Sequence, residues 1–367
     1  MERRRSVRQP LRLLRLVLLA TRSRKHPLRY LLAADPASSA ALLGQARLLA
    51  APPAAAADAA AARPDPARRL PLEFGELPVV ENAIIPSAAL APTALPPARP
   101  SCPFRLLAVD LDGTLIGSDL TIRPAVRAAV AALIERGIVV VLATGRMYVS
   151  SRPFAEALGI TAPLICYQGA LVREIEGEQR ILRHVPVPLT LARQIAAFAR
   201  ANDLTMHVYH DDRAYTARFT EESAYYAELN RIPVAEVGDL VSFLKRRPTK
   251  IVFISGPEGV RRIYEELAAR WGAVAQVTQS NPRFAEITAR GVSKGSALRT
   301  LARKLGVRRC EIVAIGDHEN DRSLLENAGV GVAMGNAVAE LKAIADLVAP
   351  PVTEDGAAWA IRHLFGV

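Results

Sequence analysis

Leu106-Leu-Ala-Val-Asp110-Leu-Asp112-Gly113-Thr114-Leu-Ile116 decides how the rest of the chain is read. The apolar run from Leu106 to Val109 has the character of a buried strand. It stops on two aspartates one residue apart, then a glycine and a threonine. In an open α/β sheet the ligand crevice lies outside the carboxyl ends of the strands. A strand ending on Asp-x-Asp-Gly-Thr therefore delivers two carboxylates to that crevice. Side chains alternate along an extended backbone, so Asp110 and Asp112 can address one centre only if the chain turns, which Gly113 permits. Asp, Gly and Thr also make ordinary solvated turns, so the stretch takes its meaning from the downstream chain.

Two further apolar, β-branched runs end the same way. Ile138-Val-Val-Val-Leu-Ala143 leads into Thr144-Gly145-Arg146, and Glu311-Ile-Val-Ala-Ile315 leads into Gly316-Asp317-His318-Glu319-Asn320-Asp321. Between them Val292-Ser293-Lys294-Gly295 opens a helical pattern. Carboxylates, a hydroxyl, a lysine, then carboxylates and an amide occur in that order. The set resembles the four motifs of the haloacid dehalogenase superfamily of phosphatases. Ser280-Asn-Pro-Arg-Phe-Ala-Glu-Ile-Thr288, Gly316-Asp-x-x-Asn-Asp321 and Gly331-Val-Ala-Met-Gly-Asn-Ala337 resemble its Cof-type branch. The resemblance covers roughly residues 104–367.

The residues themselves support an α/β reading. Arg123 to Gly137 carries Val126, Val130, Leu133 and Ile134 as a helical stripe, with Pro124 in the first turn and Gly137 at the exit. A short helix over 151–159 and a third strand over 163–166 come next, an alternation that implies a parallel sheet with right-handed crossovers. From about Val172 to Phe284 the texture changes to hairpin pieces (206–209, 214–216), helices near 189–201 and 258–271, and a strand at 250–255. The expected architecture is a Rossmann-like parallel-sheet core over 104–171 and 285–367. The resemblance implies that the α+β unit over 172–284 is a large cap above the catalytic crevice.

By the same resemblance the chain is a phosphatase acting on small phosphorylated metabolites, sugar phosphates or phosphorylated cofactors. Phosphoryl transfer relies chiefly on positioning and charge compensation. Asp110 is the expected nucleophile, forming an aspartyl-phosphate, and Asp112 the general acid and base. Thr144, Gly145 and Lys294 address the phosphoryl oxygens. The resemblance adds Asn320 as a phosphate or substrate contact. Two carboxylates ~4 Å apart repel by about 4 kcal/mol at an effective dielectric of 20, and three around one site by on the order of 10 kcal/mol. A divalent cation offsets this, and an all-oxygen shell suits Mg²⁺. The resemblance assigns it the side chains of Asp110 and Asp317 and the backbone carbonyl of Asp112, with Asp321 in support. Arg146 has no assigned role, and His318 is expected at the surface. The chain departs from the family at Gln168-Gly169-Ala170, where many relatives carry Asn-Gly-Ala. Gln168 keeps the amide one methylene further out, which shifts substrate-side geometry and leaves the chemistry alone. Tyr209, Tyr215, Tyr225, Tyr226 and Arg231 are candidates for substrate contact. A phosphomutase with the same motifs, a dedicated sugar-phosphate phosphatase and a catalytically silent binding protein are the alternatives.

The net charge of +11 does not indicate a nucleic-acid partner. Residues 1–34 hold ten Arg or Lys against one Glu, about +9, so the remainder is nearly neutral and has no basic face to offer. Twelve of the 26 prolines fall between Pro52 and Pro103. Residues 1–103 therefore read as a basic, then Ala/Pro-rich extension that is expected to be disordered, with membrane-surface attachment or targeting as the other readings. Apolar runs there are too short and too interrupted by arginine to span a membrane. Cys102, Cys166 and Cys310 show no paired or metal-ligand spacing, so a disulfide framework or a zinc site is unsupported and a reducing cytoplasm fits.

Overall fold

The carboxyl ends of three parallel strands bring the polar motifs to one edge of a sheet. The computed structural model describes residues 102–367. The first part of the core contains β1 (Leu106–Val109), α1 (Pro124–Glu135), β2 (Val139–Leu142) and α2 (Tyr148–Ala157). A small antiparallel sheet comes next, made of β3 (Leu164–Cys166), β4 (Leu171–Arg173) and β5 (Ile181–His184). The inserted unit holds α3 (Leu189–Ala201), β6 (Met206–His210), β7 (Arg213–Thr216), α4 (Glu221–Asn230), β8 (Val234–Glu236) and α5 (Leu240–Phe243). It continues with β9 (Lys250–Ile254), α6 (Pro257–Trp271), β10 (Ala275–Asn281) and β11 (Phe284–Ala289). The core then resumes with α7 (Lys294–Leu305), β12 (Ile312–Gly316), α8 (Arg322–Glu326), β13 (Val330–Ala333), α9 (Ala339–Lys342), β14 (Leu347–Val348) and α10 (Gly356–Phe365).

The core sheet has the order β14-β13-β12-β1-β2 and is parallel throughout. Val109 is level with Leu142 on one side and Ile315 on the other, so the three motif-bearing strands end together. All four β1 residues are fully buried. Each large apolar side chain there contributes about 1.5–3 kcal/mol by leaving water. The stripe expected on α1 is the face it buries, through Val126, Ala129, Val130 and Leu133. α7 starts on a reciprocal cap: Ser293 Oγ accepts from Ser296 N, and Ser296 Oγ accepts from Ser293 N. That cap fixes Lys294 in the first turn.

The inserted unit is built on a six-stranded sheet of order β10-β11-β9-β6-β7-β8. Its outer face carries Val208, Ile251, Phe253 and Ile287 against Leu191 and Ile195 of α3 and Val260, Ile263 and Leu267 of α6. Its inner face carries Tyr209, Val252, Ile254 and Phe284, which join the hydrophobic cluster of the core. The sheet runs on to Ala289, past position 284, because β11 pairs with both β9 and β10. Strands β4 and β5 do not enter this sheet: β4 pairs with β3 on one side and with β5 on the other. β3 touches the parallel sheet through a single bridge, Ala143 to Ile165.

The cysteine expectation is corrected. Cys102 and Cys310 form a disulfide across a sequence separation of 208 residues, and Cys166 is free and buried. Spacing could not show this pair, because sheet order creates it. β1 and β12 are in-register neighbours, and the two cysteines lie just before them, flanking the Arg105 N–H bond to the Glu311 carbonyl. Structural disulfides persist in oxidising environments, so the cysteines give no ground for expecting a reducing compartment. Apart from Cys102 and Pro103, the extension over 1–103 lies outside the described residues. No helix among the described residues is long and apolar enough to cross a membrane.

Candidate active site

Asp110 leaves β1 fully held, its N–H donating to the Ile315 carbonyl. The chain then turns over Leu111–Ile116, where Leu115 N and Ile116 N donate to the Leu111 carbonyl. Gly113 makes this possible with φ +78°, and a Cβ there would collide with the Asp317 carboxylate. The turn places Asp110 in the floor of the site and Asp112 higher, its side chain 46% exposed.

Lys294 closes the floor. Its ammonium lies 2.5 Å from Asp110 Oδ1 and 2.6 Å from Asp321 Oδ1, with the side chain 1% exposed. The other Asp321 oxygen accepts from Asp317 N and His318 N, so Asp321 has both oxygens engaged. Among the described residues the Asp317 carboxylate accepts only from the Asn336 side-chain amide, at 3.3 Å, and Asn336 also donates to the Gly113 carbonyl. One carboxylate oxygen each from Asp110, Asp317 and Asp321 lies within 4.8 Å of the other two. Burial pushes the Asp317 carboxyl up to about 7, with Asp321 adding to the rise and Lys294 opposing it. Burial also pushes Asp110 well above the usual carboxylate range, against the pull of Lys294, while the neighbouring carboxylates reinforce the rise. Burial works against the charge of Lys294, but Asp110 and Asp321 outweigh it and hold its ammonium above the ordinary lysine value. One lysine among three carboxylates, two buried and one half-buried, leaves the cluster short of positive charge. An all-oxygen donor set with that deficit fits a small hard divalent cation.

Thr144 is fully buried at the end of β2, and its Oγ1 accepts from Arg146 N. Gly145 is next, and a Cβ there would strike the Gln168 amide, so only glycine leaves this approach open. Arg146, unassigned from the sequence, grips Asp112 with two donors on one edge of its guanidinium: Nε to Oδ2 at 2.7 Å and Nη2 to Oδ1 at 2.5 Å. Such a fork fixes the carboxylate plane as well as its position.

The cavity above these groups measures about 340 Å³ and takes its roof from the inserted unit, with Tyr226, Leu229 and Phe284 among its walls. Sequence reasoning missed two charged residues here. Lys250, 2% exposed, donates to the Gly145 carbonyl at 2.8 Å and to Glu286 at 3.0 Å. Glu286 accepts in turn from Ser280 Oγ and from Gln168 Nε2. A lysine opening an otherwise apolar strand, and a glutamate inside the 280–288 motif, were the available signals. Gln168 sits at φ 59°, a left-handed backbone unusual outside glycine and asparagine, and its side-chain carbonyl accepts from Asn320 Nδ2. Its amide thus spans from the inserted unit to Asn320 on the core.

His318 is not a surface residue. It is half-buried on the cavity wall, and its Nδ1 is buried without a hydrogen-bond partner. Of the aromatic candidates, Tyr226 lines the cavity and Tyr209 packs beneath it. Tyr215 stacks on Phe243 in the inserted unit, Tyr225 lies under the Arg283 guanidinium, and Arg231 ends α4.

A parallel sheet whose strand ends carry aspartates and a buried threonine, with a helix-start lysine among them beneath an inserted lid, defines a phosphoryl-transfer hydrolase. The sequence profile of a family described as haloacid dehalogenase-like hydrolase matches residues 107–361. An HMP-PP phosphatase of Serratia proteamaculans is 32% identical over 244 residues, 66% of this chain and 87% of that one. A 5-amino-6-(5-phospho-D-ribitylamino)uracil phosphatase of Bacillus subtilis is 29% identical over 282 residues, 71% of this chain and 98% of that one. A haloacid dehalogenase-like hydrolase from Bacteroides thetaiotaomicron superposes with a TM-score of 0.65 at 29% identity, covering 71% of this chain and all of that one. The chain belongs to the haloacid dehalogenase-like hydrolases. It is a phosphatase, a phosphoric monoester hydrolase.

Proposed function

We propose that the chain hydrolyses phosphomonoesters of small metabolites, with Mg²⁺, through an aspartyl-phosphate on Asp110. The observation that carries this reading is the buried Lys294 ammonium clasped between Asp110 and Asp321 at the floor of a roofed cavity. Asp110 attacks phosphorus: its oxygen–phosphorus bond forms as the bond to the leaving oxygen breaks. Asp112 gives the leaving oxygen its proton, then takes one from the water that attacks the aspartyl-phosphate, releasing phosphate and regenerating Asp110. Thr144 and the Gly145 N–H bind phosphoryl oxygens, and Lys294 compensates charge on the same oxygens and on Asp110. Asn320 sits beside them at the substrate side. Asp110, Asp317 and the backbone carbonyl of Asp112 would hold the cation, and Asp321 orients Lys294 and the Asp317 backbone. When bound, the cation offsets the negative charge of carboxylates and phosphoryl oxygens.

A cavity of about 340 Å³ under a lid suits a small soluble ester and disfavours a polymer. The relatives named for HMP-PP and for a phosphoribitylamino-uracil support the same class. Phosphate release from p-nitrophenyl phosphate and from a panel of metabolite phosphates, with and without Mg²⁺, tests it. Magnesium-dependent release that Asp110→Asn abolishes is expected. No release from any phosphomonoester by folded protein would overturn the reading.

A further inference from the structure

The inserted unit does more than roof the cavity. Two of its charged side chains seat on opposite ends of one short core segment, the loop over 144–147 and the first turn of α2 that follows it. Lys250 Nζ, from the first residue of β9, donates to the Gly145 carbonyl at 2.8 Å. Asp212, in the turn between β6 and β7, accepts from Tyr148 N at 3.1 Å and from Val149 N at 2.8 Å. It also accepts from the Tyr167 hydroxyl at 2.6 Å. Between these anchors lies Arg146, whose guanidinium forks onto Asp112.

We propose that Lys250 and Asp212 are positioning residues: by clamping the segment at Gly145 and at Tyr148–Val149, they hold Arg146 where it orients Asp112. The proposal rests on the reading of Asp112 as general acid and base. Each anchor is itself over-determined. Lys250 is fixed by Glu286, which is fixed by Ser280 and Gln168, so its ammonium has a single place to be. Asp212 is fixed by three donors from the core. Arg146 N is tied to Thr144 Oγ1 and the Arg146 carbonyl accepts from Tyr167 N, so the segment transmits a shift at either end to the guanidinium. Misplacing a catalytic carboxylate by about 1 Å costs on the order of 10²-fold in rate. Docking of the inserted unit and readiness of the proton donor are thereby the same event.

A general acid matters most when the leaving oxygen is basic, which gives the test its readout. Steady-state kinetics with saturating Mg²⁺ compare p-nitrophenyl phosphate with a simple alkyl phosphate for wild type, Lys250→Met, Lys250→Arg and Asp212→Asn. Lys250→Met should lower kcat for the alkyl ester at least tenfold more than for the aryl ester, with Lys250→Arg restoring part of the difference. Asp212→Asn keeps shape and fold, and should show the same bias at a smaller size. In an Arg146→Met background both substitutions should add little, because the residue they act through is gone. Equal losses for both esters, or full additivity with Arg146→Met, would overturn the proposal. Wild-type protein inert on both esters would instead refute the phosphatase reading beneath it.

Discussion

Lys294 Nζ lies 2.5 Å from Asp110 Oδ1 although 184 residues separate them in the chain. The whole inserted unit enters and leaves between them, so a contact essential to the floor of the site closes only when both halves of the core have assembled. Asp321 completes the arrangement from the turn that follows β12.

Removing the ammonium leaves two buried carboxylates facing each other. Lys294→Met should cost about 3–5 kcal/mol of stability in chelator, as breaking a buried ion pair does. The denaturant midpoint measures it. A loss below about 1 kcal/mol would show that the pair is not structurally coupled.

Asp112→Asn should slow alkyl phosphates roughly 10²- to 10⁴-fold, the usual weight of general acid–base catalysis, and aryl phosphates much less. Comparing kcat on the two ester classes checks this. An equal loss on both would count against Asp112 as proton donor.

Chelation by EDTA should abolish turnover, and Mg²⁺ should restore it. Asp317→Ala removes a carboxylate that, among the described residues, accepts only from the Asn336 side-chain amide, so titration calorimetry should find Mg²⁺ affinity strongly reduced. Asp321→Ala should weaken it less, about 10- to 100-fold, because that residue orients its neighbours. Undiminished activity in excess chelator would contradict the assignment of the carboxylate cluster.

The inserted unit carries its own pH dependence. His207 is buried, with Nε2 on Ser223 and its ring edge-on to Tyr226, and burial pushes its pKa down to about 3 from 6.5. A value depressed on folding means that the unfolded chain takes up the proton first. Its contribution is therefore fully present above about pH 6.5 and is lost as pH falls toward 3. One proton per molecule weakens stability by about 1.4 kcal/mol per pH unit across that window, or about 2 kcal/mol between pH 7 and pH 5. Unfolding curves of His207→Gln should be flatter by that amount. Identical pH profiles for wild type and variant would place the acid sensitivity elsewhere.

Much of the core was legible because its signals are local. A short apolar run such as Leu106–Val109, ended by turn residues, reads as a buried strand, and the polar clusters that end three such runs point to one edge of the sheet. Lys294 was legible through its helix-start context. What stayed hidden depends on partners remote in sequence. Arg146 acquires meaning only when Asp112 stands opposite it, and Lys250 and Glu286 only when β9 and β11 pair and turn one face to the core. The Cys102–Cys310 bond arises from the neighbouring of β1 and β12, which spacing does not encode. His318 reads as a surface residue because the resembled family varies at that position. Here the loop folds it back against the cavity.

The central claim is that Asp110 becomes covalently phosphorylated. Wild-type protein mixed with substrate and Mg²⁺, quenched in acid during turnover and reduced with borohydride, should carry homoserine in place of Asp110 when its peptides are read by mass spectrometry. The conversion should need substrate and should be absent from Asp110→Asn, whose turnover should fall by more than about 10³-fold. An unmodified Asp110 in actively turning-over protein, or reduction at another carboxylate, would contradict the account.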